Sequence, residues 1–264
     1  MCTSNVSVAI FTYNGELHLR EQLSSVGRQS LKPLEVVVCD DCSIDSSVNI
    51  VKAFADNAGF KVELCQNDKH IGVLANLTKA VALCRGRYIA LFEQNDIWKP
   101  GKLKKNIEVI LEAEDTLGDE MPLLVHSKFG LIDEEEIEVV RISKRFERFF
   151  LGSEDSYGWF QKDKSEAGLD SGISDFKAIE NPITDIGGEG DIYPGELMER
   201  SLVKGSTAIF NKAFAEVAFP VPSSVILYEM WLASTARNHG QMIYIDENLA
   251  DCRQQGKEYY YEQL

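Results

Sequence analysis

The 264-residue sequence predicts an α/β fold: a single domain built on one doubly wound, mostly parallel sheet with flanking helices and one irregular excursion. Three observations carry that expectation. Short, continuously apolar runs alternate with stretches whose apolar residues recur at helical spacing. Several of those runs end abruptly in acids and amides, as buried parallel strands do at their carboxyl ends. No period of 20–50 residues repeats, so a solenoid is not expected.

The elements follow in order. Asn5–Phe11 is a β-branched strand closed by the turn Thr12-Tyr13-Asn14-Gly15. Leu17, Leu19, Leu23 and Val26 form a helical stripe, and Lys32-Pro33 breaks the chain. Leu34–Cys39 is the second strand, ending in Asp40-Asp41. Ser46 and Ser47 offer an N-cap to a helix carrying Val48, Val51, Phe54 and Ala55. Lys61–Cys65 is the third strand, and His70-Ile71-Gly72 a tight loop. The helix Val73–Cys84 is expected to close on Gly86 as its C′ glycine. Tyr88–Phe92 is the most apolar strand, and it discharges into Glu93-Gln94-Asn95-Asp96. Trp98 and Pro100 then form a packing shelf before the helix Leu103–Ala113. Met121–Phe129 reads as a strand.

Residues 133–203 lack periodicity and form the excursion, a variable segment or lid between an α/β half (1–132) and an acceptor-side half (204–264). Within it, Lys144–Phe150 reads first as a helix covering the core, and second as a peripheral membrane or lipid-acceptor grip. Thr207–Phe210 is a strand, Ser224–His239 a helix ended by Gly240, and Gln241–Ile245 the last strand.

A net charge of -15 argues against nucleic acid and anionic membrane as partners. No apolar run approaches the roughly 18 residues of a membrane span, and no signal peptide is expected. The six scattered cysteines fit a reduced, cytoplasmic setting. Cys39-x-x-Cys42 has redox spacing, but Asp40 and Asp41 between the thiols would raise their pKa, so a core and a loop cysteine are expected.

Three strand ends carry the polar clusters Thr12-Tyr13-Asn14, Asp40-Asp41 and Glu93 to Asp96. In a parallel sheet they share one edge. A nucleotide laid there finds partners for base and ribose at the first two. Its diphosphate needs charge neutralisation at the third, usually from a carboxylate-held divalent metal. Turn chemistry alone explains any one cluster; three on one edge argue for a site.

The segments VSVAIFTYNG (Val6–Gly15), VVVCDDCSIDSS (Val36–Ser47), HIGVLANLTKAVALCRGRYIALFEQNDIWKPGKL (His70–Leu103), KGSTAIF (Lys204–Phe210) and YEMWLASTARNHGQMIYIDENLADCRQQG (Tyr228–Gly256) resemble the family 2 glycosyltransferases of GT-A fold, rhamnosyltransferase-like branch. The resemblance implies an inverting transfer of a sugar from a UDP-, dTDP- or GDP-linked donor to a glycan or lipid-linked acceptor in surface polysaccharide synthesis. It implies that Thr12, Tyr13, Asn14 and Asp41 hold the base, that Gly72 and Asn76 line the donor side, and that Glu229 is the catalytic base. The family's metal motif falls on Glu93-Gln94-Asn95, so Glu93, Asn95 and Asp96 are the candidate ligands for Mg2+ or Mn2+. Arg253 is a candidate partner for the diphosphate. The sequence departs from the pattern in the metal motif and beyond: Glu93 is one methylene longer than the usual aspartate though still an oxygen ligand, Asn95 is neutral where a carboxylate is usual, and Gln255 stands where a histidine is usual. Those departures leave an alternative, a catalytically impaired module that binds nucleotide or a partner protein. A nucleotidyltransferase is the weaker third reading, since the second-half segments speak against it.

Overall fold

The computed structural model describes residues 4–132 and 203–253. The excursion, the Lys144–Phe150 patch and Gln255 lie outside the described residues. The strands are β1 (Val6–Thr12), β2 (Glu35–Asp40), β3 (Lys61–Gln66), β4 (Tyr88–Phe92), β5 (Ile97–Trp98), β6 (Leu123–Ile132), β7 (Ile209–Asn211) and β8 (Gln241–Arg253). The helices are α1 (Leu19–Gly27), α2 (Ser47–Ala55), α3 (Val73–Leu83), α4 (Lys102–Leu117), α5 (Lys212–Ala218) and α6 (Tyr228–His239).

Among the described residues the strands join one sheet in the order β3-β2-β1-β4-β7-β6-β8-β5. The chain winds outward from β1 to β3, then returns through α3 to place β4 on the other side of β1. That reversal is a topological switch point, where ligands bind outside the carboxyl ends of the strands. The sheet is mixed. β7 runs antiparallel to both β4 and β6, and β5 antiparallel to β8. The antiparallel β7 has a direct consequence for the site. Its amino end lies beside the carboxyl end of β4, so residues leading into β7 arrive where Glu93 leaves the sheet.

Strand alternation sorts the core into two layers. Val8, Ile10, Val36, Val38, Ala90 and Phe92 pack with α1, α2 and α4 on one face. Ala9, Phe11, Val37, Ile89 and Leu91 pack with α3, α5 and α6 on the other. β1, β2 and β4 are buried along their whole length, which is why they read as continuous apolar runs.

Several expectations change in detail. Gly86 is not a C′ glycine. α3 ends at Leu83 with Cys84 in extended conformation, and Gly86 is required because a Cβ there would stand 2.6 Å from Ser7 N and 2.7 Å from Asn5 O. The α2 N-terminus is served by Asp45, whose Oδ1 accepts from Ser47 N at 2.9 Å, not by a serine hydroxyl. α6 begins at Tyr228, four residues later than its apolar pattern suggests. β8 runs on to Arg253, so the expected tail is partly strand, bent by register shifts opposite Ser127–Phe129. Cys39 is buried and Cys42 partly exposed, both as free thiols, and burial pushes the Cys39 thiol up to about 12.

Candidate active site

The strand ends are knitted together by side chains. Gln94 Oε1 accepts from Thr12 Oγ1 at 2.9 Å and from Tyr13 N at 3.0 Å, tying β1 to β4. Asn14 N donates to Ser43 Oγ at 2.9 Å, and Asn14 Oδ1 accepts from Ile44 N at 3.0 Å, tying β1 to the loop after β2. Asn14 holds φ +48, a conformation asparagine tolerates better than most residues. Thr12 and Asn14 therefore use their side chains to build the rim; Thr12 is buried, and Asn14 is exposed like Tyr13. Tyr13 is 45% exposed and packs against His70 with ring centroids 4.4 Å apart and the ring planes tilted by 43°. The exposed Tyr13 ring is an aromatic face at the mouth of the switch point, of the kind on which a base can stack.

Asp41 sits beneath it, 2% exposed. Its Oδ1 accepts from Asn67 Nδ2 and Ile71 N, each at 2.8 Å. Its Oδ2 accepts from Gly72 N at 2.8 Å and pairs with His70 Nδ1 at 2.9 Å. Gly72 is the N-cap of α3 at φ +86, a geometry glycine adopts without a Cβ penalty. Asn76, 2% exposed, lies a layer deeper: Nδ2 donates to Cys39 O at 2.9 Å and Oδ1 accepts from Asn67 at 3.0 Å. Asn76 thus supports the loop that carries Asp41 and does not line an open surface.

The acid corner lies at the end of β4. Glu93 N donates to Ser206 Oγ at 3.0 Å, across the β4–β7 junction. The Glu93 carboxylate accepts from the Tyr228 hydroxyl and pairs with Lys204 Nζ at 2.6 Å. The same Lys204 Nζ is 3.7 Å from Glu229 Oε1. Glu229 occupies the first turn of α6, where the helix dipole favours an ionised carboxylate. Burial nonetheless dominates there. Desolvation and the Glu93 charge outweigh Lys204 and push Glu229 up to about 7. Burial acts on Glu93 as well, but Lys204 and Tyr228 hold that carboxyl below its usual value. Asp96, 3% exposed, is pushed up to about 6 by burial, with Lys204 opposing and the Glu93 charge adding. Against its own burial, Lys204 is kept firmly protonated by Glu93, Glu229 and Asp96. A carboxylate poised near neutrality beside a fixed ammonium suits general base chemistry.

Arg253 is buried and holds the corner from behind. Its N donates to Asp96 Oδ1 at 3.1 Å, its Nε to Asn95 O at 3.3 Å, and its Nη2 pairs with Glu21 at 3.0 Å. The guanidinium side chain is 3% exposed, so it braces the β4–β5 turn and presents little to a ligand. Asn95 adopts φ +76 in that turn.

Glu93, Asp96 and Glu229 are therefore brought together, and Tyr13 and Asp41 face them across the same edge of the sheet. A divalent cation, implied by the family resemblance, does not fit the residues as they stand. Asn95 brings no charge, Asp96 is engaged by Arg253, and the Glu93 carboxylate already carries an ammonium. Among the described residues no three His, Cys, Asp or Glu side chains converge as a ligand set. Sequence reasoning missed Lys204 and Tyr228. Both open segments that carry the family resemblance, Lys204–Phe210 and Tyr228–Gly256, but nothing in those segments assigned either a role in the site.

The sequence model of glycosyl transferase family 2 matches residues 7–119. The Bacillus subtilis protein EpsE, named as a glycosyltransferase, is 30% identical over 126 residues, 48% of this chain and 45% of EpsE. The Escherichia coli protein WfgD is named UDP-Glc:alpha-D-GlcNAc-diphosphoundecaprenol beta-1,3-glucosyltransferase. It is 32% identical over 107 residues, 40% of this chain and 41% of WfgD. The chain thus spans less than half the length of these relatives. Among solved structures, the mannosyltransferase PcManGT of Pyrobaculum calidifontis, in complex with GDP-Man and Mn2+, superposes with a TM-score of 0.63 at 15% identity, covering 99% of this chain and 60% of that one. That likeness identifies the sheet and its flanking helices as the GT-A fold. The chain is thus similar to glycosyl transferase family 2 over residues 7–119, which hold the switch-point rim and the Glu93–Asp96 corner, while Lys204 and Glu229 lie beyond that match.

Proposed function

We propose that this chain is an inverting glycosyltransferase that moves a sugar from a UDP-, dTDP- or GDP-linked donor to a hydroxyl of a glycan or lipid-linked acceptor, in the synthesis of a surface polysaccharide. One observation carries the reading. Glu229, raised to about 7, stands in the first turn of α6 beside Glu93, on the edge that also carries the exposed Tyr13 ring and the buried Asp41 carboxylate.

In this reading the nucleobase stacks on Tyr13 and is read at Asp41. Thr12, Asn14, Gly72 and Asn76 hold that edge in shape. Glu229 takes the proton of the acceptor hydroxyl as its oxygen attacks the anomeric carbon. The bond from that carbon to the diphosphate oxygen breaks, and the nucleoside diphosphate leaves from the opposite face. The relatives' names support the donor class and a lipid-linked acceptor. No helix among the described residues is long and apolar enough to cross a membrane. The free cysteines support a reducing compartment, so we place the reaction in the cytoplasm, at the membrane face when the acceptor is lipid-linked.

Asn95 supports a second reading, a module that binds nucleotide without turnover. One experiment separates the two. Thermal shift with UDP, dTDP and GDP identifies the nucleotide, since a ligand of the folded state raises its stability. Release of that nucleoside diphosphate from its sugar conjugates then reports chemistry. A shift with release is the expected result; a shift without release leaves the binding module; no shift with any nucleotide refutes both.

A further inference from the structure

We propose that Lys204 is the working cation of the donor site: its ammonium, and not a bound metal, neutralises the donor diphosphate and the departing nucleoside diphosphate. The proposal rests on the donor-site reading above and adds a residue and a metal independence to it.

The geometry carries it. Lys204 Nζ sits 2.6 Å from Glu93 Oε2 and 3.7 Å from Glu229 Oε1. It stands where a cation would stand, between the carboxylate at the end of β4 and the carboxylate at the head of α6. Its backbone is fixed: Lys204 O accepts from Thr207 N at 2.8 Å and from Thr207 Oγ1 at 2.7 Å. The turn that follows is locked to β4 by Ser206, which accepts from Glu93 N. The ammonium is delivered by rigid structure, as an electrostatic catalyst requires.

Charge balance agrees. The ammonium is matched first by Glu93, at 2.6 Å, with Glu229 the second acid it faces, at 3.7 Å. Asn95 supplies no second charge, and Asp96 Oδ1 is taken by Arg253 N, which leaves the buried Asp96 Oδ2 as the one Asp96 oxygen without a hydrogen-bond partner among the described residues. A divalent ion bound to Glu93 would share that carboxylate with Lys204, and the two cations would repel.

Accessibility selects Lys204 over its neighbours. Its side chain is 27% exposed, whereas the Arg253 side chain is 3% exposed and paired with Glu21. Lys102 is fully buried against Trp98. A diphosphate arriving at the rim therefore meets the Lys204 ammonium, which has further hydrogens to donate beyond the one aimed at Glu93. Drawing Nζ toward phosphate oxygens loosens its contact with Glu229 and leaves that carboxylate to the acceptor hydroxyl. Donor binding thereby frees the base.

The test measures affinity, not turnover. The nucleoside diphosphate found to bind, and its parent nucleoside, are titrated into wild type, Lys204→Met, Lys204→Arg and the charge-balanced double variant Glu93→Gln/Lys204→Met, in EDTA and in Mn2+. In EDTA, wild type is expected to prefer the diphosphate over the nucleoside by roughly ten- to a hundred-fold, the range of a charge-assisted contact, and Mn2+ should leave that preference unchanged. Lys204→Met should abolish the preference while nucleoside affinity stays, and Lys204→Arg should keep most of it. The double variant answers the same question if the single one does not fold. A preference that appears only with Mn2+, or that survives loss of Lys204, overturns the inference and leaves the donor site standing. No binding of nucleotide or nucleoside by wild type refutes both together.

Discussion

Glu229→Gln is expected to make the protein more stable and nearly inactive at once. Glu229 is 20% exposed at its side chain and is pushed from an ordinary 4.5 to about 7. The folded state therefore binds this proton more tightly than the unfolded chain does. Its contribution is fully present below pH 4.5 and is lost as pH rises through 7. Each unit is worth about 1.4 kcal/mol, so ionised Glu229 destabilises the fold by up to about 3 kcal/mol above pH 7, and by about 2 after allowance for its partial exposure. Glutamine does not titrate and escapes that strain. Urea unfolding of wild type and variant between pH 4.5 and 8.5 reads the gap directly. It should open with rising pH and level off above 7 in the variant's favour. Activity should move the other way, falling roughly 10²- to 10⁴-fold as a lost general base does, and wild-type kcat/KM should rise with pH through about 7. A gap independent of pH, or a variant less stable than wild type at pH 8, would show that the Glu229 charge is not strained. Turnover at the wild-type rate would remove Glu229 from the mechanism.

Two further substitutions probe the ground beneath the site. Lys102 is fully buried, donates to Thr207 O at 3.1 Å and is driven down to about 7 by burial. Its folded pKa lies below the unfolded value, so the destabilisation is fullest below pH 7 and fades toward 10.5. Lys102→Met should gain roughly 2 kcal/mol at pH 6, the relief of up to about 5 less the exposed carbonyl's share, with the gain shrinking as pH rises; a loss of stability at pH 6 contradicts this. A Cβ at Gly205 would press on the Tyr228 hydroxyl and stand 2.8 Å from Glu93 Oε1. Gly205→Ala should destabilise by about 1–3 kcal/mol as an overpacked site does, and weaken nucleoside diphosphate binding in calorimetry; unchanged values for both contradict the packing.

The parts of the site that lie on buried parallel strands were legible from the residues. β1, β2 and β4 announce themselves as apolar runs, and their polar ends fix Tyr13, Asp41 and Glu93 on one edge. Glu229 was legible only through resemblance, because nothing in local pattern separates it from a solvated helix acid. Lys204 was not legible. It opens an ordinary-looking strand, and only the antiparallel pairing of β7 with β4 carries it onto Glu93. Arg253 misled in the opposite direction. A cation near a phosphate-binding motif reads as a ligand group, yet β8 extends far enough to bury it on Asp96 and Glu21. Long-range pairing, which sequence periodicity does not encode, decided both.

Asp41 already has four protein donors on its two oxygens. A base edge that docks there exchanges one donor for another, and His70, with a 55% exposed side chain, is the one placed to swing away. Recognition by exchange yields little net attraction for a base that offers a matching N–H. It costs a base without one the charge-assisted contact that His70 gave up, with Gly72 N alone left on Oδ2. If the proposed base does dock at Asp41, such a site would discriminate by the contact exchanged more than by the affinity gained, so that a spent nucleotide could still depart.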